Sequence, residues 1–238
     1  MVAILVSNPN STDAMTRSLQ SEVESLNLPS SYQIDYYTGP VAKSPPSINN
    51  QEDADCSTKA CIEDFDNRCP HIYKVYDGYL IACYSDHPLV NELQTKITRS
   101  GVVVMGIFQA SMLYAMNFAS QNNKAAILTS GHDWEPLLDR AITKFCANDR
   151  GSFPATKFIP TLAAGIPVLD LHKPENYPHL KDCIQQSVEN DVGIILLGCA
   201  GLSSLSKRMK SEYPHLKFVD SVKVGARLLI SYIEVGDI

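Results

Sequence analysis

Apolar residues along this chain fall in short runs, separated by polar segments with a helical period. Val2–Ser7 (VAILVS) is apolar and β-branched and predicts a first strand. Asn8-Pro9-Asn10-Ser11-Thr12 breaks it and supplies an N-cap for a helix to about Leu26, which Leu28-Pro29-Ser30 ends. Tyr32–Tyr37 alternates as a second strand and Gly39-Pro40 turns it. The polar stretch from Gly39 to Asp53, with Pro45-Pro46, has no period; a loop of that length reads as a mobile cover or binding loop. Helices are predicted near 54–67, 89–97, 110–119, 134–147, 177–189, 202–213 and 222–234. Strands are predicted at Gly78–Cys83, Gly101–Ile107, Ala125–Ser130, Pro167–Leu171, Gly193–Cys199 and Leu216–Asp220, with Asp149–Pro160 irregular. Strands alternating with helices throughout mean an α/β protein with mainly parallel sheets.

Two of these runs stand out. Gly78-Tyr79-Leu80-Ile81-Ala82-Cys83 and Gly193-Ile194-Ile195-Leu196-Leu197-Gly198-Cys199 are each continuous apolar stretches from a glycine to a cysteine. A run of that kind is a strand buried on both faces, and ligands of open α/β sheets bind just beyond the carboxyl ends of such strands. The chain also repeats itself. Ala3-Ile4-Leu5-Val6-Ser7-Asn8 is echoed by Ala126-Ile127-Leu128-Thr129-Ser130-Gly131, and each copy leads through a helix, a strand and a helix to a cysteine-ended strand. Ser7 precedes Cys83 by 76 residues and Ser130 precedes Cys199 by 69. Duplication places two thiols alike in two halves; it does not by itself make them face each other.

Composition narrows the classes. The chain has 238 residues, 45% of them hydrophobic, which is enough for a sizeable core in one large domain or two small ones. Its formal charge is −6 with no Lys/Arg run, so neither nucleic acid nor an anionic membrane surface is an expected partner. No apolar stretch approaches the ~20 residues of a membrane span. The first residues enter a strand without a charged leader, from which a cytoplasmic location is expected. Seven cysteines in a chain this long are no disulfide scaffold. Cys56, Cys61, Cys69 and His71 match no common zinc spacing and read as a helix and its flank, so no metal is expected. Neither standard glycine-rich phosphate loop is present.

A single cysteine at a strand end is most often a small buried hydrophobe. Two equivalent ones, each entering a small-residue turn before a helix, point to chemistry, because helix N-termini favour thiolates. A thiolate takes a proton from carbon while a second thiol returns one. No metal or organic cofactor is needed if a neighbouring carbonyl delocalises the carbanion. The two-thiol reading therefore implies racemisation or epimerisation next to a carbonyl.

The opening Ile4-Leu5-Val6-Ser7-Asn8-Pro9-Asn10-Ser11-Thr12, the block Ile81-Ala82-Cys83-Tyr84-Ser85-Asp86-His87-Pro88-Leu89 and Leu196-Leu197-Gly198-Cys199-Ala200-Gly201-Leu202 together resemble the hydantoin/allantoin racemases, within the aspartate/glutamate racemase superfamily. The resemblance spans essentially the whole chain. It implies two pseudo-symmetric αβ domains with the active site in the cleft between them, catalytic cysteines at Cys83 and Cys199, a small-molecule substrate, no cofactor and a homo-oligomer. Laid on the repeat, it assigns residues 1–99 plus 216–238 to the first domain and 100–215 to the second. Glutamate racemases carry Asp-Ser-Gly at the first strand end, Asn-Thr after the first cysteine and Thr-His after the second. This chain has Ser7-Asn8-Pro9, Tyr84-Ser85 and Ala200-Gly201 there, which argues against free glutamate or aspartate. The usual hydantoin-racemase turn after the first cysteine, Phe-Gly-Asp-Pro-Gly, is replaced by Tyr84-Ser85-Asp86-His87-Pro88, and losing both glycines changes backbone freedom at the pocket wall.

Asn8 is the first substrate-binding candidate, since its amide both donates and accepts, with a helix cap as the competing role. Ser7 joins it, and Ser11 reads as cap before ligand. Tyr84 and Ser85 follow the first cysteine, and Thr129 and Ser130 are the counterparts in the second half. Gln109 lies just past its strand. Small residues Ala200 and Gly201 leave backbone N–H groups to bind a ring carbonyl or enolate. His87 and His132 sit in turns, where a lone histidine is usually a solvated surface residue, and Trp134 packs its helix on the sheet. The competing functions are another enzyme on the same scaffold (aspartate/glutamate racemase, maleate isomerase or decarboxylase) and a non-catalytic small-molecule-binding protein.

Overall fold

Ile4, Leu5 and Val6 of strand β1 (Val2–Asn8) are almost wholly shielded from water, the burial on both faces that a helix-covered parallel sheet imposes. The computed structural model describes residues 1–146, 151–171 and 173–236. The chain divides into two compact units, Met1–Ile107 with Val222–Ile238, and Phe108–Ser221. Each holds a four-stranded, all-parallel sheet.

In the first unit, β1 is flanked by β2 (Tyr32–Thr38) and β3 (Gly78–Ile81), and β4 (Val103–Gly106) completes the order β2-β1-β3-β4. Helix α1 (Asp13–Glu24) connects β1 to β2; α2 (Gln51–Arg68) and the short α3 (Ile72–Val75) lead into β3; α4 (Pro88–Lys96) leads into β4. The period of two sorts β3 between two layers. Tyr79 and Ile81 join a core with Cys61 and Phe65 of α2 and Leu89 and Leu93 of α4. On the other face, Gly78 lies against Leu229 and Ile233, and Leu80 against Gly225, all from the last helix, α9 (Ser221–Gly236). The missing side chains at Gly78 and Gly225 let α9 approach the strands closely; a Cβ there would stand 2.7 Å from Ile233 Cδ1 and 2.9 Å from Leu80 Cδ1, so those side chains would have to shift. The sequence reading missed α3, whose four residues are too few to show a period.

The second unit repeats the plan. Strand β5 (Lys124–Thr129) lies between β6 (Leu162–Ala163) and β7 (Val192–Leu197), with β8 (Lys217–Asp220) beyond, in the order β6-β5-β7-β8. Helix α5 (Ile107–Phe118) precedes β5 and α6 (Trp134–Cys146) follows it, its Phe145 meeting Phe108 edge to face. Trp134 is buried at the start of α6. Helices α7 (Tyr177–Val188) and α8 (Ser206–Glu212) contribute Leu180, Ile184 and Met209 to a core with Leu128, Ile195 and Leu197.

Several boundaries differ from the sequence reading. Pro167–Leu171 is no strand: Val168–Asp170 forms a 3-10 turn, with Leu169 exposed while Val168 and Leu171, three positions apart rather than two, face the core. The edge strand of that sheet is Leu162–Ala163, only two residues long. Strands β3 and β7 stop two positions short of Cys83 and Cys199. Strand β4 ends at Gly106 and α5 begins at once, so Gln109 sits in a first helical turn. The helix predicted from Leu202 begins as a 3-10 segment, Ala200–Leu205, and α2 starts at Gln51 because Asn50 caps it by accepting from Asp53 N–H at 2.9 Å. The division falls after Ile107 and after Ser221 instead of at 99 and 215, since β4 pairs with β3 and β8 with β7. Ala147, the predicted end of α6, and Asp149, the start of the predicted irregular segment, lie outside the described residues. Among the described residues no helix is long and apolar enough to cross a membrane.

Candidate active site

In the first unit, β1 and β3 run side by side to their carboxyl ends, where Ser7 pairs with Ile81 and Ala82 N–H donates to Ser7 O at 2.8 Å. The chain then leaves the sheet with Asn8 on one strand and Cys83 on the next. Cys83 is half-buried; its sulfur lies 3.7 Å from Ser85 Oγ, and Ser85 N–H donates to the Cys83 carbonyl at 3.1 Å. Tyr84 and Ser85 are both buried. Ser7 is wholly buried, and its hydroxyl has no hydrogen-bond partner among the described residues. An unsatisfied hydroxyl at this depth costs roughly 1–3 kcal/mol, and it lies on the strand beside Cys83.

Asn8 organises the turn. Its Nδ2 has two hydrogens to share among Asn10 Oδ1 at 2.9 Å, Thr16 Oγ1 at 3.0 Å and Thr12 O at 3.2 Å, while Oδ1 accepts from Asn10 N–H. Thr12 holds the N-cap position of α1 but donates its hydroxyl to Pro46 O at 2.6 Å, and Ser11 N–H donates to Pro45 O at 2.9 Å. The loop following Gly39 is thereby fastened to the turn after β1.

His87 departs from the expectation of a solvated turn histidine: it is 1% exposed. Its Nδ1 accepts from Leu89 N–H at 3.3 Å and caps α4. That bond puts the ring proton on Nε2, which donates to Ser57 Oγ at 3.1 Å; the Ser57 hydroxyl donates in turn to Ala54 O at 2.9 Å. Burial lowers the His87 pKa to about 4, against a weaker opposing effect of Asp55. His132 is exposed and pairs with Glu135 at 3.1 Å.

In the second unit the corresponding place, two positions beyond β7, is Cys199. Thr129 Oγ1, at the end of β5, donates to Gly198 O at 2.9 Å, and the carbonyl of buried Ser130 accepts from Ile166 N–H at 3.1 Å. Gly198 is required by close approach: a Cβ there would stand 2.5 Å from Ile127 Cγ2 and 2.9 Å from Leu128 O. Ala200 opens the 3-10 segment that follows. The N–H groups of Gly201 and Leu202 are directed at the Cys199 sulfur and lower its pKa, but burial outweighs them and raises it to about 11. One buried polar group here escaped the sequence reading. Asp220 ends β8 opposite Leu197 and accepts from Ser203 Oγ at 3.1 Å; its signal was a carboxylate closing an apolar run.

The profile of the Asp/Glu/Hydantoin racemase family matches residues 4–229. This chain belongs to that family. It is also 33% identical to Protein DCG1 of Saccharomyces cerevisiae, over 97% of this chain and 96% of that protein. In fold, this racemase-family chain is similar to the allantoin racemase from Klebsiella pneumoniae, with a TM-score of 0.80, 20% identity, and 99% and 89% of the two chains covered. Allantoin racemase from Pseudomonas fluorescens gives a TM-score of 0.80 at 19% identity, covering 99% and 92%. At these identities the likeness establishes the fold. Cys56 and Cys61 lie on α2 and Cys69 at its C-cap, and among the described residues no cluster of three or more His, Cys, Asp or Glu side chains is arranged for a metal ion.

Proposed function

We propose that this chain interconverts the enantiomers of a cyclic ureide, allantoin or a 5-substituted hydantoin, with Cys83 and Cys199 as its two acid/base groups. The observation carrying this reading is positional. Two sheets of the same strand order each place one cysteine two positions past the strand that neighbours the first of its half. The fold shared with two allantoin racemases supports the substrate class. A two-base cycle needs one thiolate and one thiol at any moment, on opposite sides of the acidic carbon. Burial keeps Cys199 protonated, which suits it as the donor in the first half of the cycle and leaves Cys83 as the base. For the opposite enantiomer Cys199 must carry the negative charge, and the N–H groups of Gly201 and Leu202 stabilise that state. The Ser7 hydroxyl supplies a hydrogen bond that ring carbonyl or N–H groups complete.

Optical rotation of pure enantiomers of allantoin, 5-alkyl hydantoins, aspartate and glutamate, with maleate assayed alongside, tests the proposal. Decay of rotation is expected for the ring ureides alone, with a loss of at least ~10²-fold in Cys83→Ser and in Cys199→Ser, the scale of losing a positioned acid/base group. Turnover confined to the open-chain acids, or single variants as active as the parent chain, overturns it.

A further inference from the structure

We propose that His87 is a positioning residue for Cys83, fastening the turn 84–87 to α2 so that the Ser85 hydroxyl is held against the Cys83 sulfur. Its catalytic consequence rests on the reading of Cys83 as a working thiol; the coupling between the residues does not.

Three observations converge on it. The imidazole is 1% exposed and links two helices, capping α4 through Nδ1 and bonding Ser57 of α2 through Nε2. Thr58 Oγ1, one residue further along α2, lies 3.5 Å from Nδ1. Between this anchor and the end of β3 stand only Ala82, Cys83, Tyr84, Ser85 and Asp86, with Ser85 Oγ 3.7 Å from the sulfur. A thiolate accepts only, so at that distance Ser85 is the donor when Cys83 is charged.

Pro88 fixes φ at the first position of α4 and His87 supplies the cap, so a stiff turn carries Ser85. The neutral ring is the form that works. Burial keeps it neutral at physiological pH, although Asp55 acts against that from α2. Protonation would remove the Nδ1 acceptor and set a positive charge at the start of a helix.

The test is the rate of alkylation of Cys83 by iodoacetamide in the full chain at one fixed neutral pH, read by peptide mass spectrometry with Cys146 as internal standard. His87→Ala and Ser85→Ala are each expected to slow Cys83 by about 3- to 10-fold, the scale of one hydrogen bond. The double variant should fall no further, because both remove the same contact. His87→Asn, whose amide still caps α4 but is too short to make the Nε2 bond to Ser57, should be slowed as His87→Ala is, which separates the tie to α2 from the cap. Should His87→Ala fail to fold, Ser57→Ala cuts the tie to α2 with the cap intact and should slow Cys83 likewise. An unchanged Cys83 rate in folded His87→Ala, additive losses in the double variant, or a parent-like rate in His87→Asn or Ser57→Ala each overturn the proposal. Rates that behave as expected in a chain that racemises no ureide would reject the proposed function and leave this coupling standing.

Discussion

His87 links folding stability to pH at a single residue. Its pKa in the folded chain is about 4, against an ordinary value of 6.5. The unfolded chain therefore takes up the proton first as pH falls. The stability tied to the neutral imidazole is fully present above about pH 6.5 and is lost as pH falls toward 4. A shift of that size corresponds to about 3 kcal/mol. Urea unfolding of the parent chain and of His87→Asn at pH 7 and pH 4.5 should show the parent losing roughly 2–3 kcal/mol more; equal losses would contradict it. At this scale the sequence placed both cysteines just past strand ends and a helix start in the turn after Asn8, because strand ends and turn chemistry are local; Ser11 is not the cap, since Thr12 holds that position without a side-chain cap bond. It did not show that His87 is buried. The partners Ser57 and Thr58 lie about thirty positions away, and only the packing of α2 on α4 brings them close.

At the scale of elements, the close approach of β5 and β7 decides where Cys199 stands. Gly198 N–H donates to Leu128 O at 2.7 Å and leaves no room for a side chain. Gly198→Ala should cost about 1–3 kcal/mol, the usual penalty for overpacking, with a lower Tm and slower turnover through a displaced Cys199. A thermal melt unchanged within a degree would show that the strands yield. Buried strands were legible in the sequence because an unbroken apolar run between turn residues has few other solutions. Pro167–Leu171 was misread for the same reason. It is mostly apolar and begins with a proline, yet Asp170 N–H returns to Pro167 O at 2.9 Å and the segment closes into a turn. The true edge strand, two residues long, is too short for any period to register.

On the scale of the whole molecule, the first strand and its echo, β1 and β5, hold the same place in two sheets of matching order, β2-β1-β3-β4 and β6-β5-β7-β8, an order that the sequence reading did not extend to. The boundaries were less legible, since the chain passes from β4 into α5 without a linker, and a break in composition is what a sequence reading looks for. The functional reading joins one cysteine from each repeat in a single reaction, and it is tested most directly by isotope exchange in the single variants. Replacing either cysteine by serine removes an efficient base, because an alcohol ionises far above a thiol's ~8.5. The surviving thiol still abstracts a proton from the enantiomer it faces and returns a deuteron from D₂O to the same side. Pure enantiomers of allantoin or a 5-alkyl hydantoin are incubated with each variant, with mass spectrometry following label and polarimetry following inversion, after subtraction of spontaneous exchange. Cys83→Ser and Cys199→Ser are each expected to exchange one enantiomer only, and opposite ones. Exchange of the same enantiomer by both variants would contradict opposed thiols, even if both had lost racemisation.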